Sequence, residues 1–243
     1  MANLLELTTK IYTERFPLIA FFSISFIIAF LIPLFASFPT FNDMGGIFLR
    51  VSSVFLNLTP FTAAVIVFST LFSLLFLSLA IVAINVIVKH SRTGTRIRKD
   101  VMDGLEKYTA KVFTVLLFYT IIVVFMQLIG YVYNFSSVVA DIVALAVIPF
   151  FFYAPAAIVI DEQRFWRAIN SSVTFFFNRF DYIFLWFVLS IVSLTLLDWI
   201  FISISGTIMS RYLLLVFTSL FVLPYLVVLQ SQSYMSRFSL LKR

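Results

Sequence analysis

Two adjacent carboxylates, Asp161 and Glu162, follow directly on the apolar run PFFFYAPAAIVI (149–160) and precede Gln163-Arg164 and an aromatic segment, FWRAINSSVTFFFNRF. Neighbouring acids can divide general acid and general base roles when their surroundings push their protonation apart, or they can hold a metal. Either use needs a third group, a base or a further ligand. The chain has one histidine, His90, no cysteine and no HExxH pattern or metal-spaced His/Asp/Glu cluster. Thiol nucleophiles, disulfides and zinc-thiolate centres are therefore excluded, and no cofactor is implied. The run Ser91-Arg92-Thr93-Gly94-Thr95-Arg96 lacks the glycine-lysine pair of a phosphate loop. The better-supported expectation is structural. Asp161 ends one helix and caps the next, Glu162 lies in the first turn where negative charge is favoured, and Trp166 sits in the interface. This makes the stretch an elbow between membrane segments.

Two other places hold chemistry-bearing residues inside apolar sequence. Ser203-Ile204-Ser205-Gly206 lacks the first glycine of the serine motif in intramembrane proteases, and His90 falls on the opposite side of the membrane. Asp198 has no GxGD partner, so an aspartyl intramembrane protease is unsupported. A carboxylate deep in an apolar segment is costly unless paired. Arg211, just past the short 204–210 turn, is its natural ion-pair partner, and Gln127 lies at similar depth. Asp198, Arg211 and Gln127 are thus expected to form an outer-leaflet ion pair with a neighbouring amide, or, as the sharper reading, a transport site.

The elements that must position these residues follow from composition. Of 243 residues, 62% are hydrophobic and 12% charged, with 32 Phe and 6 Gly; a soluble domain carries about 25% charged residues. Six apolar stretches reach the roughly 20 residues needed to cross a core of about 30 Å: Pro17–Phe38, Phe61–Val88, Val112–Tyr133, Asp141–Ile160, Tyr182–Ser203 and Tyr212–Gln230. The first is too long for a signal-peptide core and is read as retained. If the N-terminus is cytoplasmic, only Arg50 and Arg211 of the 17 Lys and Arg fall outside. That positive-inside bias predicts a multi-pass protein of the cell membrane with both termini cytoplasmic.

Each pair of spans is preceded by an amphipathic stretch: Leu4–Phe16, Lys99–Lys111 and Asp161–Phe180. Apolar residues recur there at spacings of three and four, the period of one helix face. The expected fold is all-α: one transmembrane domain over 1–243, its six helices arranged as three hairpins. Each hairpin follows a cytoplasmic interfacial helix, with pseudo-repeats at about 1–90, 97–160 and 161–235. Thr62, Ser69, Ser73 and Ala80 form a narrow stripe in the second span, suited to a helix–helix seam because small side chains let helices approach in lipid. Pro149, Pro155 and Pro224 are expected to kink spans four and six and free carbonyls that need partners. The basic loop carrying Lys89, Arg92, Arg96, Arg98 and Lys99 is expected to meet anionic lipid headgroups, each basic side chain adding about 1 kcal/mol. It lacks the interleaved aromatics of a nucleic-acid surface.

Three segments carry a family resemblance. Leu4–Phe16 ends at Pro17; FFFYAPAAIVID (150–161) leads into FWRAINSSVTFFFNRFDY; and the last span reads FVLPYLVVLQSQSYMSR. A proline-bearing span end closing on an acid, followed by Ala168-Ile169-Asn170-Ser171-Ser172, resembles six-helix membrane proteins. That group includes the membrane domain attached to glycerophosphoryl diester phosphodiesterases and many uncharacterised archaeal and bacterial relatives. In the phosphodiesterases catalysis belongs to a separate soluble domain, so the resemblance implies no catalysis here. The expected function is a non-catalytic membrane subunit or assembly factor of a larger membrane machinery, with membrane partners or self-association. The alternative is a transporter or channel subunit moving a small solute, lipid or polymer.

Overall fold

A computed structural model describes residues 2–35, 40–43, 46–49, 59–91, 97–133 and 137–237. Arg50, Arg92, Arg96, Lys242 and Arg243 lie outside the described residues, and Arg98 and Lys99 are described only as part of a helix. The chain is helical: α1 (Ala2–Glu14), α2 (Phe16–Phe35), α3 (Pro60–Ser91), α4 (Ile97–Val132), α5 (Ser137–Phe151), α6 (Ala154–Ile160), α7 (Phe165–Asn178), α8 (Phe180–Phe217) and α9 (Leu223–Met235). A small antiparallel ribbon, β1 (Thr40–Asp43) with β2 (Gly46–Leu49), pairs Thr40 with Leu49 and Asp43 with Gly46. Five stretches are long and apolar enough to cross a membrane: Phe16–Pro33, Pro60–Ser91, Asp100–Gly130, Phe180–Gly206 and Met209–Met235. The pair Leu145–Ile160 and Phe165–Asn178, bent by 119°, makes a sixth if counted as one span.

Two boundaries differ from the sequence expectation. The second amphipathic stretch is not a separate helix: Lys99–Lys111 continues into the following span as one 36-residue helix, ~54 Å long at 1.5 Å per residue. Nothing between Lys107 and Val112 breaks a helix, whereas Pro17 starts α2 afresh and Arg179 leaves helical geometry between α7 and α8 (φ −136°, ψ 48°). The expected fourth span, Asp141–Ile160, is interrupted at Phe152–Tyr153. Pro155 falls in the first turn of α6, where its missing N–H loses no helical bond. Ahead of Pro224 the chain takes a π-helical turn over Thr218–Val222, a local loosening that accommodates the proline ring.

Burial is concentrated at one end of the bundle. It takes in most of the C-terminal part of α3 from Ala80 to Val88, Val101, Tyr108, Val112 and Val115 of α4, nearly all of α6, and the C-terminal half of α9. On α1 the inward stripe is Leu4, Thr8 and Ile11. Apolar surface gains nothing by moving from lipid tails to another helix, so close packing must come from small side chains and hydrogen bonds. The seams fit that rule. Ala80, Ala83, Ala154, Ala156, Ala157 and Ala168 are all buried, and Ser73 Oγ donates to the Ala29 carbonyl at 2.6 Å between α3 and α2. Thr62, at the other end of the small-residue stripe, instead forms a reciprocal cap with Thr59 at the start of α3.

At Gly104 α4 closes against the Val86 side chain of α3. A Cβ there would lie 2.7 Å from Val86 Cγ2 and 3.3 Å from Cγ1. Valine is stiff at χ1 and Val86 is buried, so the methyl cannot swing aside. Gly104→Ala is expected to destabilise the protein by about 1 kcal/mol, overpacking outweighing the gain in helix propensity. Unfolding in mixed micelles measures it, and a Val86→Ala background should reverse the sign.

Candidate functional site

The packed end is closed by a polar cluster built around the elbow between α6 and α7. Asp161 is the C-cap of α6, its backbone N–H bonding the Ala157 carbonyl, and Glu162 follows at a left-handed φ of 55°. That conformation costs a non-glycine residue about 1–2 kcal/mol, so something outside the turn must hold it. The holders are two lysines. Glu162 Oε1 accepts from Lys89 Nζ at 3.0 Å and Oε2 from Lys107 Nζ at 2.6 Å. Lys89 Nζ also donates to the Val159 carbonyl at 3.0 Å, satisfying one of the last acceptors of α6 at its negative end. Tyr108 lies among Lys89, Lys107 and Lys111, with each ammonium 5.0–5.7 Å from the ring centre.

Asp161 has its own set of donors. Tyr234 Oη donates to Oδ2 at 2.7 Å, Gln163 Nε2 at 3.1 Å, and Arg237 Nη2 completes an ion pair with the same oxygen. Ser171 Oγ donates to Gln163 Oε1 at 2.8 Å, tying the cluster to α7. Asp161 therefore does not cap α7: that helix starts at Phe165, its N-cap is Arg164, and no side chain bonds the free N–H groups there. Glu162 is likewise not in the first turn of α7. The residues between them and Phe165 are a connector, and both carboxylates are drawn back toward lysine, arginine and tyrosine donors on α3, α4 and α9. Trp166, by contrast, is exposed on α7.

Beneath the clamp lies a break with unusual hydrogen bonding. In an unbroken helix the Tyr153 N–H would bond the Pro149 carbonyl. Ser172 Oγ stands between them instead, accepting from Tyr153 N at 2.9 Å and donating to Pro149 O at 2.9 Å. A side chain inserted into the helical ladder in this way bends it without leaving either group unmet. Gln230 Nε2 of α9 donates to the Phe152 carbonyl in the same break. Ser231 Oγ donates to Asn85 Oδ1 at 2.7 Å, joining α9 to α3. The run Gln230-Ser231-Gln232-Ser233, at the C-terminal end of the last apolar span, is thus the main polar feature that matches none of the sequence motifs considered above. Its signal was present as two amides and two hydroxyls in consecutive positions.

His90 is in the last turn of α3, where Nδ1 faces the Val86 carbonyl at 2.9 Å and Nε2 lies 3.8 Å from Asp100 Oδ2. Lys89, read with the basic loop, belongs to the clamp. Asp198 and Arg211 do not pair: among the described residues the ion pairs join Lys89, His90, Lys107 and Arg237 to Glu162, Asp100 and Asp161. Gly206, at φ 72° and ψ 175°, breaks the helix between them. Asp198 lies eight positions before this break and Arg211 five after it. At 1.5 Å per residue that is ~12 Å of helix on one side of the break against ~7.5 Å on the other. Gln127 lies on α4, apart in sequence from both.

Among the described residues no three His, Cys, Asp or Glu side chains are grouped to hold a metal. The two lysines hold Glu162, with Lys107 foremost, at a pKa of about 2 instead of its usual 4.5. A carboxyl so depressed stabilises the fold fully above the unfolded pKa, and that contribution is lost as pH falls from 4.5 towards 2. The melting-temperature difference between the protein and Glu162→Gln should be constant at neutral pH and shrink to nothing across that acid window. A difference persisting at the acid end would contradict the clamp. No family model, curated protein or solved structure matches the chain.

Proposed function

We propose that this chain is a non-catalytic subunit or assembly factor of a larger membrane complex, docking through the first part of α8. In this reading the helices make six spans in three hairpins, both chain ends are cytoplasmic, and the clamp faces the cytoplasm. The resemblance to the membrane domain of glycerophosphoryl diester phosphodiesterases accords with it. The observation that carries the reading is Asp198. From Phe184 to Gly206 no residue of α8 is buried, and Asp198 sits in that stretch only partly covered, with no cation within ion-pair distance among the described residues. A carboxylate at such depth on a lipid-facing helix is costly without a partner, and a neighbouring chain supplies one.

The test places photo-crosslinking side chains at Ile191 and Ile202 in native membranes. A discrete crosslinked protein species is expected, and Asp198→Asn should abolish it while changing the stability of the isolated chain by less than about 0.5 kcal/mol. Crosslinks to lipid alone would refute the reading, as would full complex formation by Asp198→Asn. The buried amides and hydroxyls of α9 favour a second reading, a transport path between repeats. Solute flux or lipid scrambling by the purified chain in liposomes would establish it.

A further inference from the structure

The polar edge of α7 opens onto a cavity of about 370 Å³ beside the end of α9. Helix geometry explains its chemistry. Ala168, Ser172, Phe175 and Phe176 turn one side of α7 into the bundle, while Trp166, Phe177 and neighbouring Phe180 form an exposed apolar edge. Asn170, Thr174 and Asn178, four residues apart, line up on the third side. The cavity is walled by these three with Ser171, Phe175, Arg179 and, from beyond α9, Arg237. Ser171 gives its proton to Gln163 Oε1 and Thr174 to the Asn170 carbonyl. The two side-chain amides and the Arg179 guanidinium complete the polar wall, and Arg237, paired with Asp161, brings a second guanidinium to it. No carboxylate is among the described walls, and Asp161 anchors Arg237 through a single oxygen.

We propose that this cavity binds a phosphate group. Guanidiniums match phosphate oxygens in a planar, two-pronged geometry, and charge-assisted bonds of this kind are about twice as strong as neutral ones. The amides of Asn170 and Asn178 add uncharged donors along the helix. A phosphate reaches the site either as the headgroup of an anionic lipid or as a soluble phosphate ion. The site is separate from the exposed stretch of α8 and does not depend on the docking reading.

Isothermal titration on the full chain in detergent micelles tests it, with short-chain phosphatidic acid, the diacylglycerol of equal chain length and inorganic phosphate as probes. Saturable binding of phosphatidic acid or inorganic phosphate is expected, and diacylglycerol should not bind. Saturation by phosphatidic acid alone assigns a lipid headgroup, and saturation by inorganic phosphate assigns a soluble anion. Arg179→Gln and Asn178→Leu, both at exposed positions, should each weaken binding by about tenfold or more while the unliganded melting temperature holds. Three results overturn the proposal: no saturable binding of either phosphate probe, equal binding of diacylglycerol, or unchanged affinity in Arg179→Gln.

Discussion

Replacing Asp161 with alanine is expected to lower stability by about 2–4 kcal/mol, one of the two largest single losses available to this chain. The side chain is only 10% exposed and is the common acceptor for Tyr234, Gln163 and Arg237. Removing one member of a buried charge pair costs about 3–5 kcal/mol because the other is left uncompensated. Arg237 is 30% exposed, and water on that side trims the loss. Tyr234→Phe removes one donor and should cost about 1 kcal/mol. Combining Asp161→Ala with Arg237→Ala should recover part of the loss, since no unpaired guanidinium then remains. Unfolding in mixed micelles, run as a double-mutant cycle, supplies the coupling. A single-mutant loss below about 0.5 kcal/mol would mean that the clamp is ornamental.

Ser172→Ala should be comparably damaging, by about 2–4 kcal/mol, although it deletes one oxygen atom. That oxygen completes the interrupted bond between Tyr153 N–H and the Pro149 carbonyl, and its loss leaves a buried donor and a buried acceptor unmet. Each orphaned group costs about 1–3 kcal/mol. Ser172 is fully buried, so lipid or water has little access to replace it. Two readouts distinguish this from a generic packing defect. Hydrogen exchange at the Tyr153 amide should accelerate selectively, and Ser172→Thr, which keeps the hydroxyl, should retain most of the protection. Equal exchange in the alanine and threonine variants would count against the inserted-hydroxyl geometry.

Much of the helical layout could be read from the sequence, because hydrophobic length in a bilayer is a nearly one-dimensional property. Five of the six expected spans fall on helices long and apolar enough to cross. The fourth did not hold as one helix. Pro149 and Pro155 announced a disturbance, but where the ladder opens depends on Ser172 and Gln230 arriving from distant segments. The continuous α4 was missed for a related reason: an amphipathic stretch feeding into a span leaves no mark when no residue breaks the helix. At the site, Asp161 and Glu162 stood out by charge alone. Their partners did not, since Lys89, Lys107 and Tyr234 come from three different helices, Arg237 from just beyond the last, and only the tertiary fold brings them together. The Asp198–Arg211 pair looked natural in sequence because of the short interval. Among the described residues no ion pair joins them, and the Gly206 break lies between.

The polar cross-links of the packed end also set an order of manufacture. Asp161 waits for Tyr234 and Arg237, the Phe152 carbonyl for Gln230, and Asn85 for Ser231. All of these partners lie within residues 230–237, so a nascent polypeptide that has not yet reached them carries every one of these groups unanswered. The early helices can enter the membrane but cannot lock. The fold cannot close until residues 230–237 have been made, and a chain stalled ahead of residue 230 would display an open, polar wound that quality-control proteases can recognise.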